Sequence, residues 1–165
     1  MDSDAVNIRD YSEANKASVI ELLADLQKHI ADLDEFGVNK ILKDFDASAY
    51  MADLQMKLEK HSGRIFIAEE NAIVLGCIAV TIHDDPESVD HYAHTSGFID
   101  ELIVFENSRG KRIGNLLMER AERLFKEKGC RFSRTDCFSA NNRAHAFYEK
   151  LGYKDRYVNL IKPLS

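Results

Sequence analysis

The sequence predicts one α/β or α+β domain around a mixed sheet. Strand-like apolar runs interleave with segments of helical period. The chain has 165 residues, the size of one ordinary domain, and 45% of them are apolar, enough for a packed core. Only two prolines occur, Pro86 and Pro163, with no Gly/Ser-rich linker, repeat or low-complexity tract, so residues 1–165 read as a single domain.

The elements follow in order. Residues 6–9 form a short opening strand. After Ser12 and Glu13, the residues Val19, Leu22, Leu26, Ile30 and Leu33 recur every three to four positions and share one helical face, with Gly37 as a stop. A second helix follows Asp46, with Tyr50, Leu54 and Leu58 at spacing four, and ends at His61-Ser62-Gly63. Residues 64–69 and 73–83 are strands joined through Glu70-Asn71-Ala72 as a tight hairpin. Residues 84–96 are a polar loop, 98–105 another strand and 107–110 a turn. A helix runs from Lys111 to Lys128, with Ile113, Leu116, Leu117, Leu124 and Phe125 inward and Gly129 as stop. Residues 132–138 are a strand, 141–150 a short helix ended by Gly152, and 153–162 a last strand.

Composition narrows the function classes. The net charge is −6, and the whole excess lies in residues 1–60, which hold 13 acidic and 7 basic side chains. That balance argues against general binding to nucleic acid or to an anionic membrane. No apolar run approaches the roughly 20 residues of a membrane span. Residues 1–10 are polar, carry three Asp and lack the plan of a signal peptide. The three cysteines are an odd count without C-x-x-C, so reduced thiols and a cytoplasmic location are expected. Cys77 and Cys137, in apolar, strand-like stretches, read as small buried core residues.

Two stretches carry chemistry. In F-I-D-E-L-I-V-F-E-N-S-R-G-K-R-I-G-N-L-L (98–117) an apolar strand enters a turn holding Arg109, Gly110, Lys111, Arg112, Ile113 and Gly114, and a helix starts inside that turn. A helix N-terminus offers free backbone N–H groups and partial positive charge. With Gly110 and three cations in four residues, the turn is either a local phosphate cradle or a solvated basic turn. Neither a nucleotide P-loop nor G-x-G-x-x-G is present. In S-A-N-N-R-A-H-A-F-Y-E-K-L-G-Y (139–153), Asn141 can cap a helix, and Ala144, Phe147, Tyr148 and Leu151 share a face.

Together the two stretches resemble the GCN5-related N-acetyltransferase (GNAT) family. Its phosphate signature, [Q/R]-x-x-G-x-[G/A], is matched by Arg109-Gly110-Lys111-Arg112-Ile113-Gly114, with Arg112 in place of the middle glycine. Its second signature, N-x-x-A-x-x-x-Y with a G-[FY] ending, reads Asn141, Ala144, Tyr148 and Gly152-Tyr153. The resemblance implies an α+β, three-layer fold: a mixed, mostly antiparallel central sheet flanked by helices. It implies an acyltransferase moving acetyl from acetyl-CoA to a primary amine by direct transfer, without a metal. Backbone amides of Arg109, Gly110, Lys111, Arg112, Ile113 and Gly114 would hold the pyrophosphate. Leu102, Ile103 and Val104 would bond the pantetheine amides and polarise the thioester carbonyl, and splaying of this strand from 132–138 would open the slot. Asn141 would contact the pantetheine arm beside Ala144. Tyr148 would protonate the leaving thiolate; a phenol, pKa about 10, lies close enough to a thiol at about 8.5 to share its proton. Glu101 is the candidate base for the amine. Asp100 is its rival, since strand neighbours face opposite sides, and a water chain is a third route. Dimers are frequent in the family, so the resemblance admits a homodimer.

Other clusters read as surface. The loop holding His83, Asp84, Asp85, Asp90, His91 and His94 is solvated, although His91 and His94 at spacing three could bind a metal or border the acceptor. Asp32, Asp34, Glu35, Asp44 and Asp46 are solubilising charge, or else attract a cationic amine. Two rivals to the enzyme remain: an acyl-CoA sensor without turnover, and an interaction module whose basic turn binds an acidic partner.

Overall fold

A computed structural model describes residues 5–164. The first positions of the polar 1–10 stretch lie outside them. The described chain forms two compact units.

The first unit holds five strands in the order β1-β2-β3-β4-β5. They are β1 (Asn7–Asp10), β2 (Arg64–Glu70), β3 (Ile73–Asp85), β4 (His94–Val104) and β5 (Phe132–Thr135). Pairs β1 to β4 are antiparallel, and β4 with β5 is parallel. The sheet is therefore mixed and mostly antiparallel. The helices are α1 (Lys16–Leu33), whose start belongs to this unit, α2 (Ala47–Lys60) and α3 (Ile113–Glu127).

One sheet face carries Ile65, Ile67, Cys77, Ala79 and Ile103, buried under Val19, Leu22 and Leu23 of α1 and Met51, Leu54 and Leu58 of α2. Phe66, which alternates with Ile65 and Ile67, faces the other way. There the Arg120 guanidinium of α3 lies 4.1 Å from the Phe66 ring centroid. A Cβ on Gly97 would meet the Phe125 ring at 2.2 Å, so the glycine lets α3 lie directly on β4. Helix, sheet and helix make the three layers.

The second unit comprises Gln27–Phe45, the end of α1 included, and the chain from Asp136 onward, with α4 (Asn142–Lys150). Asp34 accepts from the backbone N–H groups of Phe36 and Asn39 and from Asn39 Nδ2, which closes the loop after α1 and holds its carboxyl below the usual range. Among the candidate cation-attracting acids, Asp34 is thus a loop brace. Asp46, in the first unit, is the N-cap of α2 and accepts from Ser48 and Ala49.

Four expectations change. Among the described residues the stretch 153–162 forms no strand, and Tyr157, Val158 and Leu160 are exposed. Alternation names the faces of a strand but supplies no neighbour. The strand expected over 132–138 stops at Thr135, and Cys137 beyond it is exposed rather than core. Cys77 is buried, and burial pushes its thiol up to about 12. The polar loop shrinks, because β3 runs on to Asp85 and β4 starts at His94. The last change is at Asp100, where β4 does not keep its alternation against β3.

Candidate active site

The strand β4 pairs with β3 along its length, but one register shift falls opposite Ala79 and Val80. Glu101 pairs with Ala79 and Ile99 with Val80, so Asp100 is the extra residue of a β-bulge. The bulge breaks the alternation that would have sent Asp100 and Glu101 to opposite faces. Both carboxylates turn toward α2. Tyr50 of α2 donates its hydroxyl to Glu101 Oε1, and Lys57 of α2 pairs with Asp100 Oδ1. Thr81 donates to Asp100 Oδ2 at 2.7 Å and lies 2.9 Å from His83 Nε2.

These surroundings set the charge on Glu101. It is 8% exposed, and burial pushes its carboxyl up to about 7. The Tyr50 hydroxyl opposes that shift, the Asp100 charge adds to it, and Lys57 opposes it. Tyr50 is the functional candidate that sequence reasoning missed. Its spacing with Leu54 and Leu58 placed it in an apolar stripe, and nothing local marks the partner of its hydroxyl 51 residues away.

The far end of β4 is open. The β4–β5 ladder runs from Ser96 with Phe132 to Ile99 with Thr135 and stops there. Past Ile99, the β5-side edge of β4, which includes Leu102, Ile103 and Val104, has no strand beside it among the described residues. The edge opens because β5 itself ends at Thr135.

The chain leaves β4 through a 3-10 turn, Glu106–Ser108, into the Arg109–Gly114 turn. Gly110 has φ +86 and Arg112, the N-cap of α3, has φ +59. Left-handed residues in such a turn point successive N–H groups into one concavity. No side chain caps α3, so the amides of its first turn lack an intrahelical or capping acceptor. That is the donor set a pyrophosphate requires, and the turn fits it. The cationic field is weaker than the sequence suggests: Lys111 pairs with Glu70 at 3.0 Å, and Arg109 lies 3.7 Å from Glu106.

Asn141, Ala144 and Tyr148 stand in the second unit. Asn141 caps α4, accepting from the Ala144 N–H at 3.1 Å. Tyr148, half-buried, lies between the Phe147 and Tyr153 rings at 5.4 and 5.5 Å. His145 pairs with Asp155 at 2.8 Å.

The remaining expectations concern loops. His91 contacts Ser88 and Asp90, and His94 lies 3.4 Å from Asp85. Among the described residues no group of three metal-ligating side chains is assembled, and no helix is long and apolar enough to cross a membrane.

An open strand edge, a buried carboxylate and a helix N-terminus without a side-chain cap thus lie along β4 and the turn that follows it. Residues 29–153 match the Acetyltransferase (GNAT) family. The chain belongs to that family, a family of acyltransferases. It is 32% identical over 74 residues to an aminoalkylphosphonate N-acetyltransferase of Salmonella typhimurium, a match spanning 45% of this chain and 48% of that one, so about half of that relative. Among solved structures, a point mutant of a Bacillus halodurans protein superposes with a TM-score of 0.84 at 19% identity, covering 96% of this chain and 99% of that one. A GCN5-related N-acetyltransferase of Ralstonia eutropha superposes at 0.74 with 20% identity, covering 97% and 99%. At these identities the structures establish the fold.

Proposed function

We propose that the chain transfers the acetyl group of acetyl-CoA directly to a primary amine of a small molecule or protein. The observation that carries this reading is the run from the β4 bulge, along an unpaired strand edge, into an uncapped α3. The amides of Arg109–Gly114 bind the pyrophosphate. The free edge at Leu102, Ile103 and Val104 bonds the pantetheine amides and polarises the thioester carbonyl. Asn141, whose Oδ1 serves the α4 cap, contacts the pantetheine arm, as the family signature implies. Glu101 takes the proton of the attacking amine, the C–N bond forms as the C–S bond breaks, and Tyr148 protonates the departing thiolate. A carboxyl near 7 is suited to that work, since it is partly ionised at neutral pH and basic enough to accept.

Thermal unfolding with and without acetyl-CoA tests the binding half. A ligand at about 100 times its Kd adds about 2.7 kcal/mol and raises the midpoint clearly. No rise at millimolar acetyl-CoA would sink the reading. Tyr148→Phe tests the chemical half: turnover falls about 10²-fold or more while the acetyl-CoA shift survives. A sensor would lose nothing on that substitution.

A further inference from the structure

The bulge builds a place for a cation. The Asp100 side chain is 3% exposed, and its Oδ1 faces an ammonium that arrives on the half-exposed stem of Lys57. The same Nζ lies 5.8 Å from the centroid of the Phe98 ring, near enough for an attraction to its face. Thr81 anchors the other carboxylate oxygen, and His83 backs Thr81 from β3. Since Thr81 gives its proton to Asp100, its lone pairs face the His83 Nε2–H. Thr81 thus holds one carboxylate oxygen from β3, and Lys57 of α2 meets the other. Along the chain the next residue is Glu101, whose charge feels both Asp100 and Lys57.

We propose that Asp100 and Phe98 form a seat for a primary alkylammonium ligand, and that Lys57 occupies this seat as an internal competitor. Lys57 is itself a primary ammonium on a four-carbon stem, so it displays the ligand class that fits: a lysyl side chain or a slender alkylamine. Removing one partner of a buried ion pair is costly, so Lys57 keeps the Asp100 carboxylate paired until the ligand displaces it. Seated there, an amine stands next to Glu101. Identifying this ligand as the acetyl acceptor rests on the acetyl-transfer reading; the seat itself does not.

The test is calorimetric titration of n-butylamine and of Nα-acetyl-lysinamide into the wild type, Lys57→Ala, and Lys57→Ala with Asp100→Asn. Lys57→Ala should bind at least one probe ten-fold or more tightly than the wild type, and adding Asp100→Asn should abolish the gain. A gain for n-butylamine alone assigns the seat to free amines, and a gain for both admits lysyl side chains. No gain for either probe overturns the proposal. Should Lys57→Ala not fold, Lys57→Met keeps the stem and methylammonium becomes the probe, with the same two outcomes. The two readings fail separately. Acetyl transfer by the wild type without a gain in the Lys57 variant sinks the seat alone. A gain without any acetyl-CoA consumption sinks the acetyl-transfer reading alone.

Discussion

Glu101 must be charged to accept a proton, yet its surroundings resist the charge. Burial and the Asp100 carboxylate raise its proton affinity, while the Tyr50 hydroxyl and Lys57 lower it. As the proposed base, Glu101 should make the rate of transfer rise with pH through about 7. The Tyr50 hydrogen bond serves the ionised form, and such a bond to a charged group contributes about 1.5–3 kcal/mol. Tyr50→Phe should therefore move the acid limb of the pH–rate profile upward, by about one pH unit. A downward move, or none, would mean that the hydroxyl does not stabilise the carboxylate. Tyr50 keeps its own proton throughout, because burial and the Glu101 charge hold its hydroxyl well above the usual phenol range.

At the scale of elements, the turn before α3 concentrates the demands of binding. It must point its amides inward, and it does so with two left-handed residues, only one of them a glycine. A left-handed non-glycine residue costs about 1–2 kcal/mol, because its Cβ crowds the following carbonyl. Arg112 bears that cost where the family signature has its middle glycine. A β-branched side chain at such a φ is worse still. Arg112→Val should lower stability by about 1–2 kcal/mol in urea denaturation, while Arg112→Gly should match or exceed the wild type. In the proposed reading backbone amides make the cradle, so Arg112→Gly should also keep its thermal shift with acetyl-CoA. Equal stability for the two variants would show that residue 112 is not held left-handed.

At the scale of the molecule, what was legible in the sequence and what was not divide along one line. Helices and hairpin strands were legible because their periods are local, and the 109–114 turn because its glycines and cations are contiguous. The bulge was not legible. It is a property of the pairing between β3 and β4, and it alone decides that Asp100 and Glu101 share a face. The strand expected over 153–162 fails for the same reason, since its pattern is local and strand pairing is not. Pairing also reaches the stability of the whole chain. Between its ordinary 4.5 and about 7, native Glu101 holds a proton that the unfolded chain has released. Stability from this group is therefore full at low pH and is lost as pH rises through that window. His83 acts in the opposite sense. Burial and the nearby His61 keep it neutral in the fold, so the unfolded chain takes up its proton first, and stability is lost as pH falls below about 6.5. The Asp100 and Asp85 charges facing His83 moderate its shift, while Lys57 adds to it. The two slopes oppose each other between pH 5 and 7. Glu101→Gln removes one of them while keeping an acceptor for Tyr50. Relative to the wild type, it should gain about 3 kcal/mol between pH 5 and pH 8, and its own stability should climb with pH as the His83 slope is unmasked. Guanidinium midpoints at pH 5, 6, 7 and 8 measure both curves. Parallel curves would mean that Glu101 titrates alike in the folded and unfolded chain, and that the bulge does not bury its charge.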